Sequence, residues 1–144
     1  MNSTDSIGMR FRAARERLGL SHAQAAAQMR VTPAAVSAME MDDDEIGSCC
    51  TLADVGRFAG VLRTTSRELF DIPAAVSPLR LAELEQLIRE HCQSHGISVQ
   101  QFGEIVDWPV GTNIADLPLV LIADICKELH VDWRRVFLSC DDAA

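Results

Sequence analysis

The sequence predicts an all-α protein: a five-helix unit over residues 1–72, then a second helical unit over 73–144 that repeats the first incompletely. Three observations predict it. Apolar residues recur at helical spacing, first as Ile7, Phe11, Ala14 and Leu18. Glycines and capping hydroxyls punctuate these sets, with Gly19 before Ser21, Thr32 before Pro33 and Gly96 before Ser98. Two stretches of the second half also line up with two of the first.

The elements follow in order. Ile7 to Leu18 forms the first helix and Gly19 ends it. Ser21 caps an alanine-rich second helix over about 22–29. Thr32 and Pro33 open a third over about 33–40, the hydroxyl as cap and the proline at the first helical position. Met41 to Cys50 is expected to be a polar, acidic loop. Thr51 caps a fourth helix with Leu52, Val55, Phe58, Ala59 and Leu62 on one face, and a short fifth over 66–70 buries Leu69 and Phe70. Asp71 to Pro78, with two prolines and no periodicity, reads as a linker. A longer helix over 78–95 then places Leu81, Leu84, Ile88 and Cys92 in phase. Ser98 caps a helix over 99–106, Trp108 to Leu117 is loop-like, and helices at 118–129 and 133–137 complete the chain.

Gly19–Met29 aligns with Gly96–Val106, and Leu62–Phe70 aligns with Leu129–Phe137. Core positions agree: Val55 with Ile122, Phe58 with Ile125, Ala59 with Cys126, Leu69 with Val136, Phe70 with Phe137. Between these anchors the second copy is ten residues shorter, and the missing piece corresponds to the helix at 33–40. One unit with that helix and one without suggests a division between a binding domain and a packing or dimerisation domain.

Hydrophobic residues make up 48% against 24% charged, enough to bury a core and too many for a disordered chain. No apolar run approaches the ~18 residues of a membrane span. The longest, Leu117 to Ala123, holds Pro118 and stops at Asp124. The N-terminus has no apolar secretion segment. Five cysteines, an odd number without framework spacing, argue for reduced thiols. A cytoplasmic protein is expected. The net charge of −8 is unevenly spread: residues 1–72 carry 8 basic and 10 acidic side chains, residues 73–144 carry 5 and 11. Nucleic-acid affinity rests on Lys and Arg neutralising phosphates, so the back half is a poor candidate for it.

Leu18 to Glu40 holds two short helical patterns joined by a tight turn. That is the layout of a helix-turn-helix, in which one helix braces another that can enter the major groove. Residues 7–70 resemble the Cro/phage-repressor class of helix-turn-helix regulators, the XRE family. The resemblance rests on IGxRxRxxR at Ile7–Arg15, GLS at Gly19–Ser21, Val31–Thr32, Val36, Met39–Glu40 and the ending at Leu62–Phe70. It implies a lambda-repressor-like five-helix domain followed by a degenerate copy lacking the recognition helix. It implies a dimeric DNA-binding transcriptional regulator, more often a repressor. It also implies that Arg15 pairs with Glu40, locking the first and third helices in register. The DNA-facing positions would be His22, Arg30, Thr32, Pro33, Ala34, Ser37 and Ala38.

Those positions depart from the family pattern. His22 stands where a glutamine meets a phosphate, and it can still donate a hydrogen bond. Pro33, Ala34 and Ala35 occupy the first turn of the reading helix, where amide and guanidinium groups match base edges. The acidic run Met41–Glu45 opposes phosphate approach. It reads as a solvated loop, a mimic of phosphate, or a cation loop, although DxDxDG spacing is absent. The alternative is therefore an interaction module on a helix-turn-helix scaffold, antirepressor-like or acidic, that has lost DNA binding. Trp108, Val110 and Ile114, with Leu81, Leu84 and Ile88, are the candidate interface of a homodimer.

Other constellations point to less. His91, Cys92 and His95 share a helix end, and Cys126 with His130 lie four apart, but Cys126 holds a core position and no metal or cofactor is expected. Cys49–Cys50 precedes a helix cap, which admits a reactive thiol beside the plainer reading of loop cysteines. There is no phosphate loop and no GxSxG, and no enzyme is expected.

Overall fold

The computed structural model describes residues 6–139. Among them the fold is all-helical, without a strand. The helices are α1 (Ile7–Arg17), α2 (His22–Met29), α3 (Pro33–Met41), α4 (Asp43–Cys49), α5 (Leu52–Val61), α6 (Ser66–Leu69), α7 (Leu81–His95), α8 (Val99–Ile105), α9 (Leu119–Glu128) and α10 (Trp133–Leu138), with a 3-10 turn at Ile114–Asp116. No helix among these residues is long and apolar enough to cross a membrane.

The expected caps form. The Ser21 hydroxyl accepts from the Gln24 amide while the Gln24 side chain accepts from the Ser21 amide, and Ser98 with Gln101 repeats the arrangement. This reciprocal box satisfies two amides that an opening helix leaves without partners. Thr32 caps α3 and Thr51 caps α5 in the same sense. Gly19 (φ 69°) and Gly96 (φ 65°) take left-handed backbone at the entries to α2 and α8, which glycine adopts without a Cβ penalty.

One expectation fails. Met41 to Cys50 is a helix over most of its length. Asp42 ends α3 and caps α4, its carboxylate accepting from the Asp44 amide. Asp43, Asp44 and Glu45 fill the first turn, where negative charge meets the positive end of the helix dipole. Ile46 is the single fully buried anchor, so no apolar period announced the helix. Asp71 to Pro78 carries no helix, as its prolines and missing period predict. It is tied down: Ile72 and, just beyond the segment, Leu79 are buried, the Arg67 guanidinium donates to the carbonyls of Pro73 and Val76, and Arg135 donates to that of Ser77. Two arginines, one from each half, thus tie the segment down.

Residues 6–72 and 73–139 share one core. Phe58, Leu62 and Leu69 are fully buried in the first part, as are Leu84, Phe102, Ile122 and Leu138 in the second. Each such side chain contributes roughly 1.5–3 kcal/mol by leaving water. The halves meet where α4 packs on α9 and α6 on α10. There Phe70 and Phe137, equivalent positions of the two halves, lie edge to face with centroids 5.2 Å apart.

Candidate nucleic-acid interface

α1 seats α3 at two points. Gly8 meets the end of α3 so closely that a Cβ there would lie 2.5 Å from the carbonyl oxygens of Met39 and Glu40. Two turns further along α1, Arg15 Nε lies 2.6 Å from Glu40 Oε2 and Nη2 lies 3.0 Å from Oε1. Both side chains are almost wholly buried, at 9% and 5% exposure. A third guanidinium N–H donates to the Leu20 carbonyl at 2.8 Å, fixing the entry to α2. The hydrogen bond to Glu40, aided by its charge, raises the Arg15 pKa above its ordinary value against the opposing effect of burial. The fork-to-fork geometry is the one only arginine can make.

His22 also joins this centre. Its Nε2 lies 3.1 Å from Glu40 Oε1, with 45% of the side chain exposed. The ring is therefore committed on one edge to Glu40, and only its other nitrogen faces outward for a phosphate.

α3 presents a small, apolar outer face. Val36, Met39 and Glu40 are buried; Thr32, Pro33 and Ala34 are exposed, and Ser37 and Ala38 half-exposed. The Thr32 hydroxyl is used in capping the Ala35 amide. Met41 continues this face at 84% exposure, its sulfur 3.9 Å from the Ser37 hydroxyl. Arg30 occupies the turn before α3 in left-handed backbone (φ 62°), with its side chain exposed. Arg17, at the end of α1, is exposed as well. Two other arginines of the first half are engaged: Arg12 with Glu16, and Arg57 with Asp54 and the Met29 carbonyl at the end of α2.

The acidic run has structural work. Asp43 Oδ2 and Oδ1 accept from the Ile7 and Gly8 amides at 3.1 and 2.8 Å, capping α1 from 35 and 36 residues away. With Asp42 capping α4, two of the four carboxylates from Asp42 to Glu45 are accounted for by helix ends. Sequence reasoning missed this role of Asp43 and the close approach of Gly8. A glycine one residue into α1 was the only signal, because the partner lies far along the chain.

The candidate dimer residues divide. Leu84, Ile88 and Ile114 are buried within the chain, because the apolar stripe of α7 and the 3-10 turn face the core. They leave Leu81 and Trp108, both half-buried, and Val110, 99% exposed, to face a second copy. Trp108 Nε1 donates to the Thr112 carbonyl at 2.8 Å, closing the loop that stands in place of a helix.

The thiols before α5 do not form a reactive pair. Burial pushes Cys50 up to about 12, while Cys49 is exposed with its sulfur 3.3 Å from Glu45 Oε2. Burial also raises Cys92, and Cys126 rises to about 11. Cys140 lies outside the described residues. His91 and His95 stack on each other with centroids 4.1 Å apart, and His91 abuts Phe102. Among the described residues no three His, Cys, Asp or Glu side chains cluster as metal ligands.

No family model matches this chain, and no curated protein or solved structure matches it. Function must be argued from the site alone.

Proposed function

We propose that the chain is a DNA-binding transcriptional regulator of the helix-turn-helix, XRE-like type, acting in the cytoplasm as a dimer. In this reading α2, the Arg30–Thr32 turn and α3 form the motif, with the first turn of α3 offered to the major groove. Residues 73–144 are a degenerate copy of the same unit without the reading helix. The observation that carries the reading is the seating of α3. Its buried end is held by Gly8 and by the Arg15–Glu40 pair, while its opening residues, Thr32 to Ala34, stand free in solvent. Arg30, Arg17 and the free edge of His22 are the phosphate contacts. Pro33 and Ala34 can touch thymine methyls and cannot form bidentate base contacts, so discrimination rests on backbone fit and DNA shape. Leu81, Trp108 and Val110 supply the surface for the second copy.

A second reading, a module that binds a protein partner instead of DNA, is favoured by one observation. The outer face of α3 is small and apolar through Ala34, Ala38 and Met41 and carries no guanidinium or amide. Mimicry of DNA by the acidic run is weakened, because Asp42 and Asp43 are spent on helix ends.

Fluorescence anisotropy of the whole chain on genomic fragments, its own promoter included, at two salt concentrations tests the proposal. Saturable binding that prefers one fragment supports it. The expected salt slope is about −4 in log K against log salt for the dimer, with two phosphates neutralised per protomer. Arg30→Ala, present in both protomers, should reduce that slope by about 2, and Glu45→Lys, away from the capping carboxylates, should tighten binding. Absence of binding at low salt overturns the proposal in favour of the partner-binding module.

A further inference from the structure

A groove of about 340 Å³ opens between α4 of the first half and α9 and α10 of the second. Its floor is Ile46, Phe70, Leu119, Trp133 and Phe137. The three aromatic rings form a continuous set, Trp133 to Phe137 at 4.8 Å and Phe137 to Phe70 at 5.2 Å between centroids. Its lining also carries Asp43 and Asp44 and, among the described residues, no Lys or Arg. Asp43 is bound to the start of α1, which offsets part of its charge. Asp44 is exposed at the groove and enters no described ion pair, its backbone alone being used by the Asp42 cap and the Ser48 hydroxyl. The volume lies in the range of small-molecule sites, and convergent aromatic walls with one charged group are their usual construction.

We propose that this groove binds a small organic cation, an aryl or alkyl-aryl amine, with its apolar body against Trp133, Phe70 and Phe137 and its positive charge toward Asp44. The charge assignment follows from complementarity. A cation gains from the Asp44 carboxylate, whereas an anion meets two carboxylates and no basic lining group. The position gives such a ligand leverage. Asp42 caps both the end of α3 and the start of α4, so a molecule seated between α4 and α9 bears on the end of α3. Any effect of the ligand on DNA rests on the regulator reading. Ligand binding itself is measured without DNA, so the two fail separately.

The test is titration of the whole chain with thioflavin T, an aryl cation that fluoresces when immobilised, against the anionic dye 8-anilinonaphthalene-1-sulfonate. Saturable binding of the cation at one site per chain is expected, with Kd on the order of tens of micromolar. Asp44→Asn, a surface change that leaves both helix caps intact, should weaken it about fivefold. Ala123→Trp, which fills the groove, should weaken it at least tenfold, with helical content checked by circular dichroism. Val110→Ser, at a distant exposed site, should leave it unchanged. Equal binding of the anionic dye, an unchanged Kd in Asp44→Asn, or no saturable binding of the cation overturns the proposal.

Discussion

The two halves enter the same structure and leave it differently. Each opens its second helix through a left-handed glycine and a Ser–Gln capping box, Gly19 with Ser21 and Gly96 with Ser98. Each ends that helix on a left-handed residue 77 positions apart in the sequence, Arg30 (φ 62°) and Asp107 (φ 59°). Then they diverge. The first half runs into α3 and α4, the second into the Trp108 loop and a single 3-10 turn. The means of holding the corner differ too. Arg15 binds Glu40 in the first half, and its counterpart in the second is Cys92, buried and apolar. Taking a guanidinium and a carboxylate out of water costs several kcal/mol, and an apolar residue would hold two helices together as well. What the ion pair adds is register, which is needed where a helix must be presented at a fixed angle and not where a loop suffices.

The largest effect should come from breaking that lock on one side. Arg15→Ala leaves Glu40 buried and unpaired apart from His22, and should cost about 3–5 kcal/mol in urea unfolding. Cys92→Ala removes only a sulfur from an apolar site and should cost about 1 kcal/mol. The double variant Arg15→Met with Glu40→Leu turns the first corner into the second's kind and should recover most of the loss. If it recovers stability but loses DNA affinity, the pair serves register; if both return together, the contrast between the halves carries no functional meaning.

Next is Gly8→Ala. The added carbon would meet the carbonyls at the end of α3, and the helices must part, at a cost of about 2–3 kcal/mol by thermal unfolding. Gly47 is the control from the interface between halves. A Cβ there meets only the Val120 Cβ at an ordinary 3.6 Å, so Gly47→Ala should be neutral or slightly stabilising. A smaller effect attaches to Asp43→Ala, which frees the Ile7 and Gly8 amides while Ser6 still caps α1, and should cost about 1 kcal/mol, whereas Asp44→Ala should stay within about 0.5 kcal/mol. Equal effects at both positions would remove the structural account of the acidic run.

This contrast also marks what the sequence made legible. The all-helical class, the caps at Ser21, Thr32, Thr51 and Ser98, and the Arg15–Glu40 pairing could be read, because caps and periods are local and the pairing is carried by a family resemblance. α4 could not. Its seven residues bury one side chain fully, and its acids carry no local sign of the α1 amides that Asp43 binds. Asp71 to Pro78 is legible as a connector, but what holds it is not, since the arginines that bind its carbonyls, Arg67 and Arg135, belong to different halves. The dimer surface shrank because phase along α7 shows that Leu84 and Ile88 share a face, without showing whether that face meets this chain or another. His22 was singled out for phosphate, yet its tie to Glu40 depends on the α1–α3 angle, which no local pattern encodes.

A change of similar size is the most specific to the repeat. Cys126 occupies the position that Ala59 holds in the first half, and both are buried. Cys126→Ala therefore makes the second core match the first, at a cost of about 1 kcal/mol at neutral pH. Its signature is in alkali. Burial raises the folded thiol from 9.0 to about 11. Below pH 9 the thiol is neutral in both states and its contribution to stability is fully present. Above pH 9 the unfolded thiol ionises first, so the unfolded chain gains and stability falls until the folded thiol titrates in turn near pH 11. Urea unfolding from pH 7 to pH 11 should show this decline in the parent chain. In Cys126→Ala it should be shallower, the rest being left to Cys50 and Cys92, whose thiols are raised for the same reason. The difference between the two proteins should thus shrink as pH rises. If the two curves run parallel, the sulfur at 126 is not buried as its alanine counterpart is, and the equivalence of the two cores fails at that position.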